Sequence, residues 1–568
     1  FADAEDAVST VIIPARGKKE VIQKLKVSHP KLWDINAPNL YDAHISILDN
    51  DKIIDTYSQS FGIRTIHYSV KGFFLNGRKL ELNGGCVHHD NGILGAAAFD
   101  RAEFRKVQMM KSAGFNALRT SHNLPSEAFL EACDRLGMLV IDEAFDGWRE
   151  AKTPHDYATL FDKYWQQDIE GMVLRDLNHP SIIAWSIGNE VIERKKIEVV
   201  TTARKLASKI REYDNRPITS ALAAWDSDWD IYDPLAAELD VTGYNYMIHK
   251  HAEDHQRVPN RVMWQTESYA KDTYRNWSLV HDFDYIIGDF IWTGIDYLGE
   301  SGIGRWWYDG DVSGEHYERS LYPWHAAYCG DIDLTGWRKP ISHYRNLLYN
   351  DTEKLYMAVR EPDGYYGKIR TGLWTAYPTW ESWNWPGHEG KDIEVEVYSK
   401  YPIVRLYLDD KLVGEKGIGR ETEMKAVFSL PFKPGTLKVE GVENGVVKDA
   451  KMLSSASEPV AIRTKVENRE MKADGADLSF VQIEIVDREG RVCPNASVEL
   501  EAIVTGSGEL AALGNADIKD PDTYVDQIHK TWKGRALAVV RSTKKAGKVK
   551  LTIKSKGLKT SAEIIQSL

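Results

Sequence analysis

Short apolar runs alternate with amphipathic stretches of helical periodicity from about residue 73 to residue 349. Brief apolar runs of this kind are typical of strands that are buried on both faces of a parallel sheet. Eight of them occur, at residues 80–88, 117–122, 138–144, 182–190, 217–222, 239–246, 261–267 and 287–297. Eight strands that alternate with helices predict a closed (β/α)8 barrel over residues 67–349.

Two of the helical stretches have terminal residues that agree with this interpretation. One begins at Asp100 and the next at Ser126, which are both residue types favoured at helix N-caps, and both stretches end in glycine. We therefore predict N-caps at these two positions.

The chain on either side of the barrel alternates apolar and polar residues in the manner of strands. Residues 1–66 predict part of an immunoglobulin-like β-sandwich, with strand patterns at residues 9–15 and 19–27 among others. Residues 350–456 and 457–568 predict two further immunoglobulin-like sandwiches. The expected fold class is therefore multidomain, a (β/α)8 TIM barrel flanked by immunoglobulin-like β-sandwich domains.

Charge and cysteine content narrow the choice of partners. The net charge of −12 argues against nucleic acid, and no apolar run reaches the roughly 18 residues of a membrane span. The four cysteines form no CxxC motif, so neither a zinc site nor a disulfide framework is expected. The chain starts at Phe1 without a leader-like segment, so we expect a cut within a longer polypeptide and leave the localisation unknown.

Aromatic residues favour a carbohydrate ligand. The chain has 18 tryptophans and 27 tyrosines, and many stand beside glycine, asparagine or aspartate instead of within apolar runs. Aromatic faces among polar residues suit sugar rings, which have apolar C–H faces and polar rims. The alternative is that a large protein uses these rings in its cores.

Polar residues of catalytic type stand at the ends of most predicted strands. In (β/α)8 barrels the active site lies at the carboxyl ends of the strands. Glu190 ends the fourth predicted strand and Glu267 the seventh, so barrel closure brings both to one mouth. Glycosidic cleavage requires two such carboxylates, one to protonate the leaving oxygen and one to attack the anomeric carbon or activate water.

The local sequence suggests which carboxylate is the nucleophile and which is the acid. Arg119 could hold Glu267 ionised, because a nearby cation lowers the pKa of a carboxyl group, and an ionised Glu267 suits a nucleophile. Glu190 would then be the protonated acid and later the base. Asn189, directly before it, could hydrogen-bond a sugar hydroxyl, plausibly the 2-OH.

Structural roles remain open alternatives for these residues. A glutamate at a strand end can be solvated or belong to an ion pair. His88, His89 and His122 could bind a metal, although they lack H-x-x-x-H spacing. Trp292 could be core or could stack on a sugar. The tryptophans of residues 380–385 could pack in a sandwich core or form a surface cluster.

Three segments resemble glycoside hydrolase family 2, the group of β-galactosidases, β-glucuronidases and β-mannosidases. They are FGIRT at residues 61–65, NALRTSHNLP at 116–125 and LNHPSIIAWSIGNE at 177–190. The resemblance implies that Glu190 is the acid/base and that Glu267 is the nucleophile. It also implies residues that line the sugar subsite or lie beside the nucleophile, namely His88, Arg119, His122, Tyr246 and Trp292. The family usually begins with a jelly-roll domain, which this sequence does not contain.

The choice of sugar depends on a segment after the eighth strand. Glucuronidases of the family carry an Asn-x-Lys motif there, which meets the sugar carboxylate. Residues 328–340 read YCGDIDLTGWRKP instead, and Asp331 and Asp333 would suit hydroxyl groups. Asp90, in a segment that resembles β-galactosidases, is a further candidate contact. Residues 142–148 lack the Glu-x-His of magnesium-dependent relatives, so no cofactor is expected to be required and a catalytic magnesium is doubtful.

The sequence therefore predicts a retaining exo-β-glycosidase, most plausibly a β-galactosidase, whose partner is an oligosaccharide or glycan substrate. The alternatives are a β-glucuronidase or β-mannosidase, a glycan-binding protein with an inert barrel, and an adhesin rich in immunoglobulin-like domains. A homo-oligomer is an open alternative. The resemblance alone favours a periplasmic or secreted enzyme.

Overall fold

A closed barrel of eight parallel strands forms the centre of the computed structural model, which describes residues 6–223, 229–315 and 322–568. Each predicted run overlaps one barrel strand, so the barrel prediction is confirmed. In chain order the strands are Leu82–Val87, Ala117–Thr120, Leu139–Glu143, Ile182–Asn189, Ile218–Leu222, Val241–Asn245, Met263–Tyr269 and Ile286–Trp292. All their residues are buried except Tyr269, as expected for strands enclosed by helices.

Helices connect the strands on the outside of the barrel. They are Asp100–Ser112, Glu127–Leu136, Ala158–Asp176, Glu198–Arg211, Asp233–Ala236, His251–Arg257, Thr273–Asp282 and Pro340–Tyr349. Ser126 is an N-cap, since its side chain accepts a hydrogen bond from the Phe129 N–H. The prediction for Asp100 was wrong by one residue, because Phe99 is the N-cap and Asp100 lies in the first turn. No helix among the described residues is long and apolar enough to cross a membrane.

The segment before the barrel holds less sheet than predicted. Its strands are Trp33–Asp34, Ala37–Pro38, Tyr41–Asp49, Lys52–Phe61, Ile66–Ser69, Gly72–Leu75 and Arg78–Leu80. Tyr41–Asp49 and Lys52–Phe61 form a two-stranded hairpin, and the predicted strands at residues 9–15 and 19–27 do not occur among the described residues. A strand needs a hydrogen-bonded neighbour, and residues 9–15 and 19–27 pair with none in the described part of the chain.

Two β-sandwiches follow the barrel. The first combines Leu355–Arg360, Thr379–Trp380, Asp392–Ser399 and Lys425–Pro431 with Ile403–Leu408, Lys411–Gly417, Thr436–Glu443 and Val446–Ser454. The second combines Ala461–Val466, Leu478–Val486, Gly508–Gly514 and Arg535–Ser542 with Glu470–Met471, Glu499–Gly506, Ile528–Lys530, Gly547–Lys554 and Ser561–Ser567. Each has its own apolar core. The predicted domain limits at 349/350 and 456/457 fall between elements.

Short strands connect the last barrel loop to the segments around it. Tyr297–Leu298 pairs with Ala326–Ala327, and Trp307–Tyr308 pairs with Ile369–Arg370. The second pairing ties the loop after the eighth barrel strand to the first sandwich. Chain from beyond the barrel is thereby held at its carboxyl end, where the predicted catalytic residues lie.

Candidate active site

Arg119 occupies the centre of the polar cluster at the carboxyl ends of the strands. The side chain is fully buried, and its Nη1 donates to Glu267 Oε1 at 2.9 Å. Its Nη2 donates to Asn189 Oδ1 at 2.9 Å. The structure therefore brings together three residues that the sequence predicted at the site, contributed by three different barrel strands.

Glu143 balances the charge of Arg119 from the end of the third strand. Its two oxygens accept from Arg119 Nε and Nη2 at 2.9 and 2.8 Å. Ser186 and His122 contact the same carboxylate at 2.7 and 2.8 Å. Burial opposes ionisation, but Arg119 and then His122 outweigh it and lower the pKa of Glu143. Both oxygens of Glu143 are therefore engaged by neighbouring side chains.

Glu190 leaves the fourth strand in a backbone conformation that side chains rarely adopt, with φ at 42°. Its N–H donates to the carbonyl of Ala221 at 2.8 Å, and its Oε1 accepts from Asn245 Nδ2 at 3.0 Å. Burial raises the pKa of Glu190, and the charge of Glu267 raises it further. Such a carboxyl group can stay protonated at higher pH than usual, as a general acid must.

Glu267 is held by a cation on one side and by a phenol on the other. The carboxylate is 4% exposed and receives the Arg119 guanidinium described above. Tyr246 donates its backbone N–H to the Glu267 carbonyl at 2.8 Å. Burial and then the charge of Glu267 keep the pKa of Tyr246 well above its ordinary value, so the phenol remains a hydrogen-bond donor toward that carboxylate. The Glu267 carboxylate is thereby oriented from two sides.

Aromatic rings and imidazoles form one wall of the site. His122 stacks on Trp292 at 5.0 Å between ring centroids, and His88 stacks on Tyr297 at 4.0 Å. The Trp292 N–H donates to the Tyr297 hydroxyl at 3.1 Å. Burial lowers the pKa of His88 well below its ordinary value, so this imidazole is neutral. Trp292 is 3% exposed and also belongs to an apolar core. A core position and a place in the wall of the site are therefore compatible for this residue.

The histidines do not form a metal site. His122 Nδ1 pairs with Glu143, and His89 Nε2 pairs with Asn123. Within residues 6–223, 229–315 and 322–568, no three His, Cys, Asp or Glu side chains are grouped as metal ligands would be. The four cysteines carry free, buried thiols.

Sequence reasoning missed two carboxylates of the site. Asp146 accepts from Asn189 Nδ2 at 3.0 Å and from Lys152 Nζ at 2.6 Å. Burial opposes ionisation, but His122 and Lys152 lower the pKa of Asp146 to about 2. Glu300 accepts the Tyr297 hydroxyl hydrogen bond, and burial raises its pKa, with smaller effects from His122, Asp146 and Glu190. Asp146 was visible only as part of DEAFDGW, and Glu300 lies in a loop that has no recognisable motif.

Two of the predicted sugar contacts, Asp331 and Asp333, are engaged by other groups of the protein. Asp331 is fully buried in an ion pair with Arg345, at 2.8 Å between Oδ2 and Nε. Asp333 Oδ1 accepts the backbone N–H groups of Thr335, Gly336 and Trp337 at 2.9 to 3.1 Å. Both carboxylates stabilise the loop itself, because a buried carboxylate needs a cation or several N–H donors.

Asp90 and the tryptophan cluster have mixed placements. Asp90 is half-buried beside His88, accepts the Leu298 N–H at 3.1 Å, and has its pKa raised by burial to about 6. Trp383 and Trp385 belong to the core of the first sandwich, whereas Trp380 is only partly buried. The alternative of a sandwich core therefore holds for Trp383 and Trp385.

Trp374, from the chain that follows the barrel, is a further residue that the sequence did not indicate. Its indole N–H donates to the Tyr246 hydroxyl at 3.0 Å, and its ring contacts Tyr246 and Tyr269 edge to face. Glu315 holds the segment, accepting the Trp374 N–H at 3.3 Å and the Thr375 hydroxyl at 2.6 Å. Trp374 thus acts on the partner of the candidate nucleophile.

Comparisons with known proteins agree with this geometry. Residues 66–295 match the model of the glycosyl hydrolases family 2 TIM barrel domain, residues 2–64 match glycosyl hydrolases family 2, and residues 462–563 match the family 2 C-terminal domain 5. The beta-galactosidase BoGH2A of Bacteroides ovatus is 31% identical over 96% of this chain and 68% of its own length. The chain belongs to glycoside hydrolase family 2.

Two other members of the family illustrate the range of relatives. A solved family 2 structure from Bacteroides cellulosilyticus is 40% identical with a TM-score of 0.91, covering 96% of this chain and 70% of that one. A putative beta-glucuronidase of Formosa agariphila is 28% identical over 88% of this chain and 49% of its own length. This family 2 chain is therefore a β-glycosidase that hydrolyses glycosidic bonds, and its relatives differ in the sugar that their names state.

Proposed function

We propose that this family 2 enzyme is a retaining exo-β-galactosidase that cleaves terminal β-D-galactosides. The observation that carries the mechanism is the opposite electrostatic setting of two carboxyl groups in one network. Glu267 faces the Arg119 guanidinium, whereas Glu190 is half-buried and has a raised pKa. Retaining glycosidases need such a pair, with one ionised nucleophile and one protonated acid.

The two steps follow from this setting. In the first, Glu267 attacks the anomeric carbon and Glu190 gives its proton to the leaving oxygen. Esterification removes the charge of Glu267. That charge is one cause of the raised pKa of Glu190, so the pKa of Glu190 then falls. Glu190 is then a base that takes a proton from water as the water attacks the glycosyl ester. Asn189, held by Arg119 and Asp146, is placed to bind a sugar hydroxyl.

A neutral sugar suits the charges around the cluster better than a uronic acid. Three cations of the described structure lie near it, and each is already paired: Arg119 with Glu143 and Glu267, Lys152 with Asp146, and Lys106 with Glu103. Asp146 and Glu300 would repel a sugar carboxylate and accept hydrogen bonds from hydroxyl groups. The name of the Bacteroides ovatus relative supports galactose among neutral sugars.

Hydrolysis of four p-nitrophenyl glycosides tests the choice of sugar. We expect the β-galactoside to be cleaved faster than the β-glucuronide, β-mannoside and β-glucoside, and the first sugar product seen by NMR to be the β-anomer. An α-anomer would overturn the retaining mechanism, and preference for the glucuronide would overturn the charge argument. Glu190→Gln and Glu267→Gln should each abolish most activity, because each removes one of the two required groups.

Catalysis should not depend on added magnesium. Residues 142–148 lack the Glu-x-His of magnesium-dependent relatives, and Glu143 in that segment is engaged by Arg119, His122 and Ser186. We expect dialysis against EDTA to leave kcat and KM for the galactoside within experimental error of the untreated values. Loss of activity that magnesium restores would contradict this prediction.

A further inference from the structure

Two adjoining cavities lie outside the catalytic cluster, where the last barrel loop meets both sandwiches. Their volumes are about 240 and about 430 Å³, and the residues that line both are Trp306, Tyr328, Ala516, Trp532 and Lys533. We call this pair of cavities the junction cleft. We propose that the junction cleft is a second carbohydrate site that binds neutral β-linked oligosaccharide.

Aromatic rings from three parts of the chain meet in the junction cleft. Trp306 of the barrel loop contacts Tyr328 edge to face at 5.1 Å and Trp380 of the first sandwich at 5.9 Å. Trp532 of the second sandwich contacts Trp380 at 5.6 Å. Tyr366, also at the larger cavity, is 53% exposed. Trp306 is only 8% exposed, but Tyr328, Trp380 and Trp532 are partly exposed, and ring faces that line a cavity suit the C–H faces of sugars.

Polar groups are interspersed with these rings. Glu361 accepts the Trp380 N–H at 2.9 Å and the Tyr308 hydroxyl hydrogen bond. Lys533 Nζ lies 4.1 Å from the centre of the Trp380 ring and 4.0 Å from Glu361. A ligand with several hydroxyl groups could accept from the ammonium group and donate to the carboxylate. Asn495 and Ser497 add an amide and a hydroxyl to the larger cavity.

The charges of the larger cavity favour a neutral ligand over an anion. Two carboxylates and two lysines line it: Glu361, Asp517, Lys519 and Lys533. The smaller cavity is lined by more cations than carboxylates, and two of those cations are paired, since Lys339 contacts Asp296 at 2.7 Å and Arg360 contacts Glu396 at 2.5 Å. A phosphate or uronate would have to compete with these carboxylates, whereas a neutral sugar would not.

Two short segments of the chain lead from the catalytic mouth to the junction cleft. The loop that carries Tyr297 and Glu300 at the mouth continues to Trp306 in the cleft. The segment that brings Trp374 to Tyr246 continues to Trp380. The cleft is thus placed to hold the distal units of a glycan whose terminal sugar lies in the barrel. This last role rests on the proposed function, whereas oligosaccharide binding by the cleft does not.

Calorimetric titration of the full chain tests the site. The Glu267→Gln variant prevents turnover, and the probes are the β-1,4-linked tetrasaccharides of galactose, glucose and xylose. We expect at least one to bind, and Trp532→Ala in the same background to weaken its binding about ten-fold, as expected for the loss of one stacked ring. Trp165→Ala, on the barrel helix Ala158–Asp176, is the matched control and should leave the affinity unchanged.

Each outcome of the titration supports or rejects the proposed carbohydrate site. Trp324 also lines the larger cavity and provides a second variant. If no tetrasaccharide binds, or if Trp532→Ala and Trp324→Ala both bind as tightly as the parent, the proposal is wrong. Trp324→Ala also serves if thermal unfolding shows that Trp532→Ala is poorly folded. Binding that depends on Trp532 in a protein whose wild type cleaves no galactoside would support the cleft and reject the proposed function. Galactoside hydrolysis without such binding would support the proposed function and reject the junction cleft as a carbohydrate site.

Discussion

Arg119 decides how charge is arranged around the candidate nucleophile. It is fully buried, and three of its nitrogens reach Glu143, Asn189 and Glu267. A buried cation of this kind needs carboxylate partners, and removing either side would leave an uncompensated buried charge. The guanidinium therefore fixes the position of the Glu267 carboxylate, whose charge in turn raises the pKa of Glu190.

The first prediction concerns the pKa of Glu190. Glu267→Gln removes a negative charge that, after burial, is the main cause of the raised pKa of Glu190. Without that charge the ionised form of Glu190 is less disfavoured, so its pKa should fall. NMR titration of the Glu190 side chain in the wild type and the variant measures this shift.

A remote variant provides the control for that titration. Glu353→Gln removes a carboxylate that pairs with His343, and it should leave the titration of Glu190 unchanged. An equal shift in both variants would contradict the direct effect of Glu267. In the wild type, kcat/KM should decline as the pH rises through the raised pKa of Glu190, because the general acid is lost.

At the scale of elements, one segment from outside the barrel completes the site. The pairing of Trp307–Tyr308 with Ile369–Arg370 and the contacts of Glu315 hold residues 371–376 over the barrel mouth. Trp374 reaches Tyr246 from there. The eight barrel strands alone therefore place the carboxylates, but the orientation of the phenol depends on an element that is not part of the barrel.

The second prediction is that Trp374 is a positioning residue. Trp374→Phe keeps an aromatic ring beside Tyr246. It removes the indole N–H that donates a hydrogen bond to the Tyr246 hydroxyl at 3.0 Å. Loss of one such hydrogen bond is worth about 1 kcal/mol, so kcat should fall roughly three- to ten-fold. KM should change less, since the bond acts through Tyr246 on the nucleophile.

Steady-state kinetics and thermal unfolding together check this assignment. The control is Trp277→Phe, a partly buried ring that stacks on His281 on the helix Thr273–Asp282. Both variants should unfold near the wild-type temperature. A fall in kcat that only accompanies a lower unfolding temperature would point to a purely structural role for Trp374.

At the scale of the whole molecule, the second sandwich packs directly on the barrel. Phe480 is 3% exposed and lies under the Arg105 guanidinium, 4.5 Å from its carbon to the ring centre. Arg101 and Arg105, on the helix Asp100–Ser112, form ion pairs with Asp477 and Glu467 at 2.9 and 2.7 Å. These contacts hold the second sandwich against the barrel.

The third prediction addresses this interface. Phe480→Ala should lower the free energy of unfolding by about 3–5 kcal/mol, because it removes a large buried ring between two domains. Denaturant unfolding followed by tryptophan fluorescence measures the loss. Phe283→Ala is the comparison, since Phe283 is 41% exposed and its loss should cost much less. Equal effects of the two variants would contradict the packing role of Phe480.

The sequence by itself determined the barrel and the two glutamates. The eight strands were predictable because each apolar run and its polar end lie within one short segment, and barrel closure then brings Glu190 and Glu267 to the same mouth. The strands expected at residues 9–15 and 19–27 could not be settled in this way. Neither segment pairs with a neighbouring strand through its backbone in the described structure.

Only the tertiary structure decided which polar residues surround the sugar site. Asp331 and Asp333 looked available in the sequence, yet Arg345 and the N–H groups of a turn engage them. Glu300 and Trp374 carried no motif, and they reach the site because separate loops fold onto one mouth. The physical reason is that the role of a polar group depends on its partners, and these partners are brought together only when distant segments of the chain pack against one another.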